Sequence, residues 1–530
     1  MKVPKRIDVK KEEMKALLKR VESKELEEGD YKIIKAMAET ISFLSFALEE
    51  KKISIRRLLN MLFGVKTEKT KNLLKGSDGK STSRSSKKDV KEEAEKEKKL
   101  GGHGRNGAGE YEGAERIKVT HPTLKSCDRC PVCPKGKVYE MKVPGVVVRV
   151  VGRCPLQATV YELQKLRCNL CGKVFTAELP EECGSEKYNE TAGSMIALLK
   201  YGSGFPFKRL EGLQESFDIP LAASTQWEVV ERKADRIYPV YDELVRQAAQ
   251  GEVLYNDDTT MKILELMKID DEKYEEEKRS RSGMFTTGIL SVFNERKIAL
   301  FFTGRKHAGE NMMDLLKKRE SDRSPPIQMC DALSRNLPKD FKIILANCLC
   351  HARRKFAELT EVFPEECRFV LETFKDVYKN DHKAKEQNMS PEERLRFHQS
   401  ESGPLMEKLK TWLNKQLDDK KVEPNSSMGQ AISYTLNHWE PLTLFLRVPK
   451  APLDNNLCEQ ALKRTILHRK NALFYKTQHG AYIGDLFMSI IHTCNLSGVN
   501  PFEYLTALEK HSSKVFKDPK KWLPWNYEQH

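Results

Sequence analysis

The sequence lacks any apolar run long enough to cross a membrane. Its longest mostly apolar stretches, such as Ile289–Phe293 and Ile298–Phe302, are far shorter than the ~20 residues that a membrane-spanning helix needs. The first residues, MKVPKRIDVKKEEMK, contain no apolar stretch of the kind that a secretory signal requires. We therefore expect a cytoplasmic protein that is neither secreted nor held in a membrane.

The sequence also lacks the even cysteine count and the secretory context of a disulfide framework. Its 13 cysteines favour reduced thiols and metal ligands instead. Acidic residues are not in excess, because the formal net charge is +15. A basic excess of this size favours a polyanionic partner such as nucleic acid, although a lysine-rich soluble surface would give the same composition.

Large apolar residues are nearly absent between residues 65 and 119, a stretch rich in Lys, Glu, Ser and Gly. Such a segment cannot bury enough surface to offset its ordering entropy, which predicts a flexible basic linker. Before it, apolar residues from Ile34 to Leu48 recur every three or four positions. This repeat predicts a coiled-coil helix that makes the chain a dimer or larger, or an amphipathic helix packed on its own chain.

Two CxxC pairs frame a β-rich stretch after the linker, with β-branched runs at 138–154 and 158–168. Two such pairs can close a tetrahedral zinc site, and strands between them are typical of a zinc ribbon. The predicted ligands are Cys130, Cys133, Cys168 and Cys171. Cys127 could replace Cys130, and the alternative to zinc is a set of reduced thiols or a redox pair.

Three carboxylates stand at ends of predicted elements in the C-terminal half. Asp257 ends the strand GEVLYN, Asp331 ends the short strand IQMC, and Glu459 lies on the helix that PLDNN opens. A strand-end aspartate alone is more often a cap or turn residue. Together, three converging carboxylates would bind two Mg²⁺ ions and support phosphodiester chemistry, whereas side-chain alternation directs Asp258 elsewhere.

Clusters of basic residues stand beside these acids in the sequence. They are candidates for contacts to a phosphate backbone; a solvated helix face or ion pairs with Glu459 is the alternative. His351 could also carry a proton or be structural. The candidates are His351, Arg353, Arg354, Lys355, Lys463, Arg464, His468, Arg469 and Lys470.

With these residues in place, the chain resembles transposases of the insertion sequence 66 family, which are DDE-type enzymes. The resemblance runs through GHGRNGA, LRCNLCGKVF, GEVLYNDDTT, QMCDA and CHARRKF to PLDNNLCEQALKRTILHRKNALFYKTQHGA. It implies an RNase H-like core with a helical insertion between the second aspartate and the glutamate. It also implies that Asp257, Asp331 and Glu459 are the catalytic, metal-binding triad.

The resemblance and the composition together predict a multidomain α+β protein. We expect, in chain order, a helical coiled-coil region over 1–64, the linker over 65–119, a zinc-binding module over 120–183, a helical DNA-binding segment over 184–250, an RNase H-like domain over 251–495 with its insertion at about 352–448, and a C-terminal tail over 496–530.

The function implied by the resemblance is metal-dependent cleavage and strand transfer of insertion-sequence DNA ends. The implied cofactors are Mg²⁺ or Mn²⁺ and Zn²⁺. The implied partners are double-stranded DNA, further copies of this chain and small accessory proteins of the same element, in the bacterial nucleoid. Three alternatives remain: a nuclease or resolvase on the same core, an inactive or domesticated zinc-containing DNA-binding protein, and a coiled-coil scaffold.

Overall fold

A computed structural model of the protein describes scattered positions from 17 to 37 and then 114, 116–132, 135–141, 146–169, 171, 173–180, 184, 186–273 and 283–529. Within these residues, every helix is too short or too polar to cross a bilayer. The chain divides into two compact units. The smaller comprises 81–181 and 211–221, and the larger comprises 1–80, 182–210 and 222–530.

In the smaller unit, the predicted strands are shorter than expected. Strands β1 (Lys165–Arg167) and β2 (Val174–Thr176) form an antiparallel pair. The described part of the β-branched run at 138–154 is not in a strand, so that prediction was wrong. Val147 and Val150 in this run are 73% and 82% exposed, and β-branched residues favour a strand only where a neighbouring strand supplies hydrogen bonds and packing.

The larger unit contains the predicted mixed sheet of five strands, in the order β5-β4-β3-β6-β7. The first three are antiparallel neighbours, whereas β6 and β7 run parallel to β3. The predicted tight turn joins β4 to β5, where Asn294 has a φ of 53°, a left-handed conformation that asparagine tolerates. The strands are β3 (Val253–Thr260), β4 (Phe285–Phe293), β5 (Arg296–Gly304), β6 (Ile327–Cys330) and β7 (Ile344–Asn347).

Helices make up most of the remaining described residues, including the predicted insertion. They are α1 (Glu190–Ala197), α2 (Phe207–Glu215), α3 (Ala223–Ala249), α4 (Leu264–Lys273), α5 (Ala308–Leu316), α6 (Leu349–Ala357), α7 (Pro364–Glu386), α8 (Pro391–Glu401), α9 (Gly403–Asp418), α10 (Ser427–Asn437), α11 (Trp439–Leu442), α12 (Asn456–Ala472), α13 (Gln478–Leu496), α14 (Pro501–Lys510) and α15 (Ser512–Lys517).

Helix α13 covers the free edge of strand β5. Three of its side chains, spaced four residues apart, accept hydrogen bonds from alternate backbone N–H groups of the strand. Thr493 Oγ1 accepts from Ala299 at 3.1 Å, Ser489 Oγ accepts from Phe301 at 3.0 Å, and Asp485 Oδ2 accepts from Thr303 at 2.6 Å. The helix thereby satisfies the backbone groups that an edge strand otherwise exposes to other chains.

Asp485 makes the stability of this contact pH-dependent. Burial raises the pKa of its carboxyl group to about 7, above the unfolded value of about 3.9. The stabilising contribution of the protonated acid is therefore complete below about pH 4 and is lost as the pH rises through 7. One pKa unit corresponds to about 1.4 kcal/mol. We therefore expect the free energy of unfolding of Asp485→Asn, measured relative to the wild type, to increase by roughly 2–4 kcal/mol between pH 4 and pH 8.

Denaturant unfolding at a series of pH values measures this difference. Thr303 Oγ1 donates to Asp485 Oδ1 and the Thr303 N–H donates to Oδ2; the oxygen of an asparagine can still accept from the N–H, and its NH₂ group can donate to the hydroxyl, so the fold is retained. The matched control is Thr493→Val, which also removes a side-chain contact to β5 but no titratable group. Thr493→Val should lower the free energy of unfolding by the same amount at every pH. A pH-independent difference between wild type and Asp485→Asn would contradict the prediction.

The region predicted as a C-terminal tail folds onto the larger unit. Tyr504 of α14 is fully buried and donates a hydrogen bond to the backbone carbonyl of Trp522. Glu509, also on α14, pairs with Lys233 and with Arg236 of α3. Residues 501–510 therefore contribute to the core and to a buried ion-pair network.

The described part of the N-terminal region includes two residues of the predicted coiled coil. Of the predicted apolar seam, Ile34 and Met37 lie among the described residues, in helical backbone, and the later positions lie outside them. Nearby, Arg20 forms an ion pair with the buried Asp30. Oligomerisation through this region stays a prediction, as does the linker, most of which also lies outside the described residues.

Candidate active site

Two of the predicted acids lie at the same level of adjacent strands. Strands β3 and β6 are parallel, with Tyr255 opposite Met329. Asp257 and Asp331 each follow two residues later along their chains. Because parallel strands advance together, both aspartates reach the same edge region of the sheet.

Helix α12 brings Glu459 to this position by packing across β3 and β4. The Asn455 side-chain amide, at the start of the helix, donates to the carbonyl oxygen of Asn256 at 3.1 Å. The Cys458 thiol donates to the carbonyl oxygen of Gly288 at 3.3 Å. These two bonds fix the first turn of α12 on either side of Asp257, since Gly288 is the residue opposite Asp257 on β4.

A glycine at position 288 permits this close approach of helix and sheet. A Cβ atom built there would lie 2.9 Å from Leu462 Cδ2 and 3.5 Å from Cys458 Sγ. Leu462 follows Glu459 by almost one helical turn, so the first turns of α12 lie directly over the strand. The absent side chain of residue 288 therefore helps to bring Glu459 near the aspartates.

The pKa of Asp257 responds to the charges of the two other acids. Burial, together with the smaller effects of the negative charges of Asp331 and Glu459, raises its pKa to about 7 against the lowering effect of the Asp258 N–H. That N–H donates to Asp257 Oδ1 at 2.8 Å. Glu459 Oε1 is buried and has no hydrogen-bond partner within the described part of the chain. A cluster of this kind is costly unless cations neutralise it.

Asp258, next to Asp257, has a different environment. Its carboxylate accepts from Thr287 Oγ1 at 2.6 Å and from the backbone N–H of Ala308 at 3.0 Å, and it lies 3.2 Å from His307 Nδ1. The side chain is 1% exposed. Asp258 therefore anchors the start of α5 to the sheet, on the face away from the acidic cluster, as the alternation of side chains predicts.

A network of buried amides supports the acidic cluster, and sequence reasoning missed it. The Asn256 side chain donates to the carbonyl oxygen of Asn336 at 2.8 Å and accepts from Gln328 Nε2 at 2.9 Å. Asn336 Nδ2 donates in turn to Asp331 Oδ1. Asn256 and Gln328 stand in otherwise apolar strands, and a buried polar residue in such a strand was the signal available in the sequence.

Several predicted basic residues lie near Asp331, on helix α6. A pocket of about 290 Å³ beside Asp331 is lined in part by His351, Arg354 and Lys355. Lys355 Nζ lies 4.3 Å from the ring centre of Tyr434, which is on α10 of the helical insertion. The insertion therefore contributes an aromatic wall to a cationic pocket that adjoins the acidic cluster.

The basic residues of helix α12 have different environments. Lys463 and Lys470 are exposed and Arg464 is partly buried. Arg469 Nη1 donates to Thr259 Oγ1 at 3.1 Å and to Thr260 Oγ1 at 2.7 Å, so Arg469 also holds the end of β3.

His468 does not belong with the basic candidates. It is buried between the rings of Tyr201 and Tyr475, with centroid distances of 6.0 and 5.0 Å. Burial, together with the smaller effect of the positive charge of Lys200, lowers its pKa to about 3. The neutral, buried ring cannot serve as a cationic phosphate contact, and its inclusion among the candidates was wrong.

Three of the predicted zinc ligands, Cys130, Cys168 and Cys171, are described, and they lie outside the strands of the smaller unit. The N–H of Cys130 donates to the carbonyl oxygen of Gly136 at 2.8 Å, and the N–H of Cys168 donates to that of Lys173 at 2.9 Å. Cys171 and the alternative ligand Cys127 are exposed. Cys133 lies outside the described residues, so the zinc site stays a prediction.

One group in the described residues meets the spacing of a metal site, and the sequence did not predict it. It consists of Cys348, His351 and Glu459, whose ligand atoms lie within 4.8 Å of one another. It shares Glu459 with the acidic cluster and His351 with the cationic pocket.

Residues 187–483 match the family described as Transposase IS66 family.

Three proteins of Sinorhizobium fredii (strain NBRC 101917 / NGR234), all named as uncharacterized, are also similar to this chain. The chain is 32% identical to y4jD over 187 residues, 34% of this chain and 36% of that protein. It is 25% identical to y4hP over 444 residues, 78% of this chain and 75% of that protein. It is 22% identical to y4qI over 351 residues, 63% of this chain and 61% of that protein. The match thus spans about a third of y4jD and less than two thirds of y4qI.

Proposed function

The chain belongs to the transposase IS66 family, and we propose that it cleaves the DNA ends of its own mobile element and joins them to target DNA. The observation that carries this proposal is the approach of Asp257, Asp331 and Glu459 from three separate elements, with the effect of the two other charges on the pKa of Asp257. Phosphoryl transfer requires a negatively charged cluster that can hold divalent cations next to a cationic surface that can hold phosphates.

The topology of the sheet supports an RNase H-like core for this chemistry. Three antiparallel strands are followed by two strands parallel to the first, in the order β5-β4-β3-β6-β7. Helices α7–α11 then separate the strand that ends at Asp331 from the helix that carries Glu459. This arrangement agrees with a catalytic domain that is interrupted by a helical insertion.

The acidic cluster supplies the carboxylate oxygen ligands that Mg²⁺ and Mn²⁺ prefer, although the oxygen atoms of its three acids do not all lie within 4.8 Å of one another. Its members are partly buried, and Glu459 Oε1 is buried without a hydrogen-bond partner in the described residues, so a cation would supply a missing interaction. When bound, divalent cations activate the attacking hydroxyl group and stabilise the leaving oxygen of the phosphodiester. We propose Asp257, Asp331 and Glu459 as the residues that hold them.

The positions of the basic residues suggest how DNA approaches. Arg354 and Lys355 line the pocket beside Asp331, and Lys463 lies one turn after Glu459 on an exposed face of α12. We propose that these side chains, with Arg353, Arg464, Arg469 and Lys470, contact phosphates on both sides of the scissile bond. The cysteine module and the helices before β3 would recognise the element ends, and the N-terminal helix would bring two chains together in the nucleoid.

A cleavage and joining assay tests the proposal. The full chain is incubated with Mg²⁺ or Mn²⁺ and with DNA fragments that carry the sequences flanking its coding region. We expect release of a 3′-hydroxyl at the element end and joining of that end to a second DNA. A preprocessed end, offered separately, isolates the joining step.

Each other result of the assay favours a different function. Cleavage without joining of the preprocessed end would favour a nuclease or resolvase. Salt-dependent binding with neither reaction in either metal would favour a DNA-binding protein without catalytic activity. Absence of DNA binding would favour a scaffold. All three results would overturn strand transfer.

A further inference from the structure

A thiol, an imidazole and a carboxylate meet beside the acidic cluster. Cys348 Sγ, a ring nitrogen of His351 and a carboxylate oxygen of Glu459 all lie within 4.8 Å of one another, and His351 Nε2 is 3.9 Å from Glu459 Oε1. In a tetrahedral zinc site with bonds of about 2.0–2.3 Å, neighbouring ligand atoms are roughly 3.3–3.7 Å apart. Small side-chain movements would therefore suffice to bring the three atoms to one ion.

The backbone brings these three groups together from two elements. Cys348 directly follows β7 and precedes the first residue of α6, and His351 lies in the first turn of that helix. The Leu349 N–H donates to the carbonyl oxygen of Leu453 at 2.9 Å, which joins the start of α6 to the segment before α12. The Asn455 N–H also donates to Cys348 Sγ at 3.3 Å.

One nitrogen atom and one oxygen atom of the group lack hydrogen-bond partners within the described residues. His351 Nδ1 and Glu459 Oε1 are both buried and make no hydrogen bond there. A buried polar atom without a partner is unfavourable, and a metal ion would account for the orphaned glutamate oxygen. Cys350, two residues from Cys348, lies 3.0 Å from the Tyr378 hydroxyl and also shares a side-chain hydrogen bond with Cys348.

We propose that Cys348, His351 and Glu459 bind a thiophilic divalent cation of the Zn²⁺ class. Sulfur and nitrogen ligands select such an ion over Mg²⁺, which prefers oxygen. Since Glu459 belongs to both ligand sets, occupancy by Zn²⁺ withdraws this carboxylate from the cations of the acidic cluster. The resulting inhibition of DNA cleavage rests on the proposed function, whereas the binding of the ion does not.

Cobalt binding to the full, metal-stripped chain tests the site directly, because Co²⁺ bound to thiolate absorbs in the near ultraviolet. We expect Cys348→Ser to bind one equivalent of Co²⁺ fewer than the wild type and to lose the corresponding absorption. Zn²⁺ should displace this equivalent in the wild type. His351→Gln should weaken the binding of the same equivalent at least tenfold, which provides a second test if Cys348→Ser does not fold.

The matched control is Cys367→Ser, which removes a fully buried thiol of α7 and should bind as much Co²⁺ as the wild type. The cysteines of the smaller unit contribute equally to all of these proteins. Equal stoichiometry and absorption in wild type, Cys348→Ser and His351→Gln would overturn the site.

Inhibition by Zn²⁺ is then measured in Mg²⁺-dependent cleavage. We expect the wild type to lose activity at Zn²⁺ concentrations that fill the site, and Cys348→Ser to need at least tenfold more. If the wild-type chain does not cleave DNA but Cys348→Ser binds one equivalent of Co²⁺ fewer than the wild type, the proposed function fails and the metal site stands. If it cleaves DNA and shows no such difference in Co²⁺ binding, the metal site fails and the function stands.

Discussion

Replacing Asp257 by asparagine should lower the rate of DNA cleavage by about 10³-fold or more, which corresponds to roughly 4 kcal/mol of transition-state stabilisation. The uncharged amide would no longer neutralise a bound divalent cation, and the proposed chemistry depends on that cation. Asp331→Asn and Glu459→Gln should have effects of similar size. DNA affinity, measured by fluorescence anisotropy at fixed salt, should change little because these residues are not proposed phosphate contacts.

The neighbouring Asp258 provides the matched control. It is also an aspartate of β3, but its carboxylate is held by Thr287, His307 and Ala308. Asp258→Asn should therefore lower stability, since the amide nitrogen cannot accept one of these bonds, and should keep cleavage within about tenfold of the wild type. Equal loss of cleavage in Asp257→Asn and Asp258→Asn, or full activity of Asp257→Asn, would contradict the assignment of the triad.

Replacing Glu509 by alanine should destabilise the larger unit by about 3–5 kcal/mol, because it leaves a buried charge without its partner. Lys233 is fully buried, and its ammonium group contacts Glu509 and lies 3.4 Å from the carbonyl oxygen of Glu190. Burial lowers the pKa of Lys233, and the charge of Glu509 acts in the opposite direction. Denaturant unfolding at pH 7 measures the loss.

Two further variants distinguish the contribution of the buried pair to stability from that of a neighbouring exposed ion pair. Glu186→Ala removes an exposed partner of Arg236, at 3.1 Å, and should cost no more than about 1 kcal/mol. The double variant Lys233→Met with Glu509→Met removes both buried charges and should recover much of the stability lost in Glu509→Ala. If Glu509→Ala costs no more than Glu186→Ala, the ion pair does not hold α14 to α3 in the way we infer.

Much of the larger unit could be predicted from local patterns. The hairpin around Asn294 follows from two alternating runs that are separated by a polar turn, and the short buried strands that precede Asp331 and Leu349 follow from their apolar sequences. The run at 146–151 shows the limit of this reasoning. β-Branched residues favour a strand, but they do not supply the partner strand with which it must form hydrogen bonds.

The three acids of the candidate site could be predicted from the sequence, but the environments of the residues around them could not. Asp257, Asp331 and Glu459 could be chosen because carboxylates at the ends of apolar elements are costly without ligands. His468 could not be separated from Arg469 and Lys470 by sequence, because its burial depends on Tyr201 and Tyr475, which are distant in the chain. The meeting of Cys348 with Glu459 likewise depends on how α12 packs.

The sequence by itself determined the mixed α/β class of the larger unit and the choice of three candidate acids, because hydrophobic period and residue chemistry are local properties. Only the tertiary structure decided what each neighbour does: Asp257 faces other carboxylates, Asp258 holds a helix, and Glu459 faces both a thiol and the aspartates. The reason is that burial and pairing with residues hundreds of positions away set the charge and the cost of each group, and these contacts exist only after the chain has folded.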